Sequence, residues 1–134
     1  MSITVADTRS YLLVAYNSFT YADFTSGTGE AMFALPQGAI VRGGSLIVDT
    51  NWNSGTSAGA EVGDAGSAAR YLSSENLLAA GDEYAELVPT GYAVTNANRN
   101  LLVEVTETGT AATAGAGRIT VEYFEPTQAH ENFE

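Results

Sequence analysis

Apolar and polar positions alternate most clearly near the C-terminal end of the chain. In Leu101–Glu107 the apolar residues stand at 101, 103 and 105, with polar residues at 104 and 106. In Arg118–Tyr123 they stand at 119, 121 and 123. A period of two marks a strand with one buried and one wet face. These segments read as the best strand pair of the chain, joined through the small, uncharged run Gly109–Gly117 as a wide hairpin loop. Shorter runs rich in Thr, Val and Tyr recur between turn residues at a spacing of about ten residues, the rhythm of an all-β sandwich or barrel.

The other expected strands are Tyr11–Tyr16, Ser18–Phe24, Glu30–Leu35 before Pro36, Ala39–Arg42 with Ser45–Thr50, Ala60–Val62, Glu86–Val88 and Tyr92–Val94. The pair Gly43-Gly44 reads as a bulge inside one strand, because Ile40 and Val41 are too few for a hairpin arm. Gly63–Gly66 reads as a turn. One short helix is expected near residues 74–80, capped by Ser74, with Leu77 and Leu78 as its apolar face and Gly81 as its stop. The whole reads as a single domain over residues 1–134. Residues 1–8 form a possible extended arm containing Ile3 and Val5, and residues 126–134 a possible flexible tail containing Phe133.

Charge narrows the choice of function. The 134 residues carry 16 Asp and Glu against 5 cations, a net of -11. All five cations are arginines. Such a surface repels phosphate backbones and anionic membranes, so neither nucleic acid nor membrane is an expected partner. The Cys count of 0 excludes disulfides, thiolate metal sites and thiol catalysis. Met1–Asp7 lacks the basic and apolar parts of a secretory signal, so synthesis in a cytoplasm is expected.

The candidate chemistry is thin. His130, the single histidine, lies in the tail, away from any nucleophile. Gly27-Thr28-Gly29 and the 109–117 run lack the lysine of a phosphate loop. Glu104, Glu107, Glu122 and Glu125 fall on or near outward strand positions and read as a solubilising face. Asp49, Asn51 and Asn53 mimic the start of a calcium loop, but Ser54 stands where glycine is needed and Ala60 where glutamate is needed. No catalytic residue, cofactor or metal is expected, and the chain is not expected to be an enzyme. Tyr16, Phe19, Tyr21, Phe24 and Trp52 offer either core rings or a stacking platform for sugars. The cluster at 16–24 holds more rings than an inner strand face needs, which points to a partly exposed interface.

A resemblance sharpens this. Leu35–Thr50 (LPQGAIVRGGSLIVDT), Asn53–Ser57 (NSGTS), Val62–Asp64 (VGD), Ala69–Leu72 (ARYL) and Ala111–Tyr123 (AATAGAGRITVEY) together resemble small virion proteins of tailed bacteriophages. They look most like the jelly-roll capsid decoration, or cement, proteins. The resemblance implies a jelly-roll-like β-sandwich that docks as a homodimer or homotrimer on the outside of the major capsid protein lattice, in the virion. It carries no catalytic residues with it. The candidate interface is Ile3, Val5, Tyr16, Phe19, Tyr21, Phe24, Phe124 and Phe133. The alternative is a carbohydrate-binding β-sandwich of a fibre or adhesin, centred on Trp52 or the 16–24 rings.

Overall fold

In a computed structural model, residues 10–78 and 83–126 are described. Among the described residues eight strands run in chain order: β1 (Leu13–Thr20), β2 (Thr28–Ala34), β3 (Ile40–Thr50), β4 (Ser57–Asp64), β5 (Ser67–Asn76), β6 (Glu83–Glu86), β7 (Asn100–Thr108) and β8 (Ala116–Phe124). Single 3₁₀ turns occupy Tyr21–Asp23 and Asn96–Asn98. The strands form two four-stranded antiparallel sheets, ordered β1-β8-β3-β6 and β2-β7-β4-β5. This is the strand order of an eight-stranded jelly roll, two Greek keys closed face to face. Among the described residues no helix is long and apolar enough to cross a membrane.

The alternation read at the C-terminal end is present, but its pairing is different. Leu101, Val103 and Val105 of β7 are buried, as are Ile119 and Val121 of β8. They lie in opposite sheets and face each other across the core, because β7 pairs with β2 and β4 while β8 pairs with β1 and β3. The 109–115 segment is therefore an arch between sheets and not a hairpin loop. Its small residues answer to packing. A Cβ on Gly115, whose φ is +151°, would lie 2.5 Å from Cδ2 of the buried Trp52, and one on Gly117 would lie 2.8 Å from the Phe19 ring. Phe19 in turn packs edge-on against Phe24, with centroids 5.3 Å apart, and tilts against Trp52 at 6.2 Å.

The Gly43-Gly44 bulge is where the sequence puts it. The β3–β8 register shifts between Val41 and Gly43. Gly44 has φ +145°, and a Cβ there would strike the Thr120 carbonyl. The expected segments 11–16 and 18–24 merge into one strand, β1, that ends in the Tyr21–Asp23 turn.

The helix expected near 74–80 is replaced at its start by the end of β5. Ser73–Asn76 extend the strand, with Gly59 opposite Asn76 and Ala60 opposite Glu75. The Asn76 side chain then accepts the Leu78 N–H at 2.9 Å, turning the chain. Leu77 is fully buried. Its N–H donates to the Ala58 carbonyl, and its own carbonyl accepts the Trp52 N–H. These tertiary bonds outweigh the weak helical propensity of a two-turn segment. The expected stop, Gly81, lies outside the described residues.

Candidate docking surface

Four strands end the two sheets, and each edge exposes unpaired backbone groups that can template another strand. Three of the four edges carry a device against this. β2 has a register shift between Ala31 and Phe33. It also has a charge, Glu30, opposite buried Val103 and so on the inward side. β5 is irregular, with shifts on both sides of its Val62–Leu72 pair, and carries Arg70 and Glu75. β6 is only 4 residues long and contains Glu83 and Glu86.

β1 has none of these. Its 8 residues, LVAYNSFT, are uncharged and pair with β8 without a shift from Leu13 to Thr20. Near its start, apolar side chains are bare on both faces. Val14 is 64% exposed and Tyr16 60%, on the outward face. Leu13 is 39% exposed although it shares the inward face with buried Phe19. Leu12, just before the strand, is also exposed. β1 overhangs the opposite sheet. It touches β2 only sparsely, and Asn17 spans the gap by donating from Nδ2 to the Met32 carbonyl at 3.1 Å. An uncovered apolar strand of this kind marks an interaction surface.

The expected interface residues separate accordingly. Tyr16 and Tyr21 are exposed. Phe124 is half-buried at the end of β8. Phe19 is 4% exposed and packed in the core, so it is corrected out of the surface set. Phe24 is half-buried against the same core. Ile3, Val5 and Phe133 lie outside the described residues. The residues the sequence reading missed are Leu12, Leu13 and Val14. Their signal was present in composition: Ser10–Ala22 is a 13-residue stretch free of charge in a chain that is otherwise acidic.

The decoys resolve into structural roles. Trp52 is buried at 3% exposed and cannot stack on a sugar, which removes the named anchor of the carbohydrate platform. The Asp49 carboxylate is held by Arg118, with Nη2 at 2.9 Å. The Asn53 side chain accepts the N–H of Thr113 and Ala114 and donates to the Thr113 hydroxyl. Two of the residues that mimic a calcium loop, Asp49 and Asn53, thus hold β8 and the arch. Glu107 accepts from the Ser54 hydroxyl and the Ala112 N–H, and Glu122 pairs with Arg42 at 3.3 Å.

At the far edge lies a charged cluster that spacing did not reveal. Asp64, 3% exposed, accepts the N–H groups of Gly66 and Ser67 and closes the β4–β5 turn. Arg70 donates to both its carboxylate oxygens, with Nε 2.6 Å from Oδ2, and lays its guanidinium 3.5 Å over the centre of the Tyr92 ring. Hydrogen bonds with Thr95 and Asn98 hold the Tyr92 phenol below its ordinary pKa. Tyr71 beside them is buried, and desolvation pushes its pKa up to about 12. Its hydroxyl has no hydrogen-bond partner among the described residues. Paired charge, stacked ring and turn bonds together make this a fastening of β5 to the 92–98 loop.

No protein-family model and no curated protein matches the chain. Solved structures do. The chain is similar to one from the cyanophage Pam1 capsid asymmetric unit, with 28% identity, a TM-score of 0.72, and coverage of 94% of this chain and 92% of that one. A chain from the acid-stable capsid structure of Helicobacter pylori bacteriophage KHP30 shares the fold at 22% identity and TM-score 0.64, covering 90% of this chain and 94% of that one. A chain of the disulfide-linked pili that form Bacillus endospore appendages shares the fold at 10% identity and TM-score 0.51, over 96% and 98%. The resemblance read in the sequence, to capsid-associated proteins of phages, is thereby matched in three dimensions.

Proposed function

We propose that this chain is a structural protein of a phage virion, a capsid decoration protein that binds the outside of the major capsid protein lattice as a symmetric oligomer. The observation that carries this reading is the likeness to the Pam1 capsid chain over nearly the full length of both. The physical character of the chain supports it. The two sheets form a packed scaffold whose buried positions are filled by Leu, Val, Ile and aromatic side chains. The net charge of -11 suits a surface turned away from packaged DNA. One bare apolar strand supplies a contact surface that a monomer has no use for.

The role is adhesive and non-enzymatic. Many modest contacts, repeated by symmetry across a shell, hold it together through avidity. The test is particle composition. Virions purified from a culture producing this protein should contain it at a copy number near that of the shell protein, and it should be digested by protease added outside intact heads. Its absence from mature particles, or its protection from protease until the heads are opened, would overturn the reading.

A further inference from the structure

We propose that the free edge of β1 is the self-association surface of this protein, and that two copies join β1 to β1 across a two-fold axis into one continuous eight-stranded sheet. This deepens the oligomeric part of the reading above and rests on it only for its setting.

The occupant follows from charge and register. A copy carrying a net of -11 is repelled by another copy over most of its surface. The uncharged stretch Ser10–Ala22 is the longest in the sequence, so self-approach costs least there. Among the described residues no strand pairs the outer edge of β1, and the strand itself holds no lysine, proline, bulge or inward charge.

Antiparallel two-fold pairing obeys a parity rule. Each residue must share a face with its opposite number, so the axis passes through a residue and its own copy. Centring on Val14 places Leu12 opposite Tyr16, Leu13 opposite Ala15, and Val14 opposite Val14. Every apolar residue from 12 to 16 then meets an apolar partner, with a ring against an aliphatic side chain on the outward face. The inward row covers Leu13, which the monomer leaves 39% exposed. The paired stretch from residue 12 to 16 spans about 17 Å at 3.4 Å per residue.

The experiment measures the mass of the full 134-residue chain by sedimentation and light scattering at micromolar concentration. A twofold mass is expected. Val14→Lys sets two charges directly opposite across the axis, and should halve that mass while leaving the melting temperature of the monomer fold unchanged. With no native cysteine in the chain, Val14→Cys should oxidise to a linked dimer within minutes, whereas Ser18→Cys should not. A threefold mass, a monomer, or a dimer indifferent to Val14→Lys would each overturn the pairing. A monomer whose attachment to heads is lost in Val14→Lys would overturn the second copy as occupant and assign the edge to a segment of the shell. Attachment to heads is read separately, so failure of the dimer leaves the capsid reading standing.

Discussion

The edges at β1 and β5 are finished in opposite ways. β5 carries charge, but that charge is spent inside the molecule: Arg70 is bound by buried Asp64 and stacked on Tyr92, and the loop above it is drawn down onto the strand. β1 carries no charge, receives no loop among the described residues, and leaves Leu13, Val14 and Tyr16 in solvent. One edge is closed by the protein's own chemistry and the other is left open. The difference teaches that the bare strand is not a failure to find enough polar residues. The same chain builds a satisfied ionic fastening where an edge is to be ended.

The contrast is most sharply broken at its closed side. Asp64→Asn removes the charge that satisfies a partly buried arginine, and should cost about 3 kcal/mol, read as a fall in the urea midpoint with an unchanged slope. Equal stability would show that Arg70 is solvated and the fastening ornamental. Gly115→Ala tests the arch on the other flank. A methyl group driven into the Trp52 ring at a φ of +151° should cost about 2–3 kcal/mol, with Trp fluorescence as a local reporter.

Alkaline titration gives a smaller effect. Tyr71 has its folded pKa raised to about 12 against an ordinary value of about 10. Protonation is therefore favoured in the folded state. The stability linked to it is complete below the unfolded pKa, and is lost as pH rises from about 10 through about 12, amounting to roughly 2–3 kcal/mol. Tyr71→Phe should flatten this limb of the denaturation profile and, by removing an unpartnered hydroxyl, should not weaken the fold at neutral pH. At the open edge, Tyr16→Ser should change monomer stability by no more than about 0.5 kcal/mol, since its outward ring is 60% exposed. A larger loss would mean that β1 is already covered.

How far the sequence could be read depended on what each signal encodes. Period-two alternation specified the buried faces of β7 and β8, and it also separates Tyr16 from Phe19, an odd number of residues apart and hence on opposite faces of β1. It did not specify partners, since a strand's pattern is the same whether its neighbour in sequence lies beside it or across the core. Gly109–Gly117 looked like slack between two hairpin arms, yet Gly115 and Gly117 are set by the rings of Trp52 and Phe19, two distant positions. β5 escaped notice because only Tyr71 on it is fully buried, while Ser74 and the Leu77-Leu78 pair imitated a capped helix. The interface was legible as a region and misassigned in its members: rings drew attention, and the plain aliphatics at 12–14 did not.

The pairing of β1 with β8 has a consequence for how the protein is made. The first strand of the described sandwich obtains its neighbour only from residues 116–123, far along the chain from itself. Until the ribosome releases those residues, a strongly apolar and uncharged segment waits without a partner on either side. A nascent chain that terminates before Ala116 leaves that segment permanently without its partner, as a nucleus for aggregation. Quality of synthesis, as much as stability of the finished fold, therefore sets how much of this protein reaches its place of use.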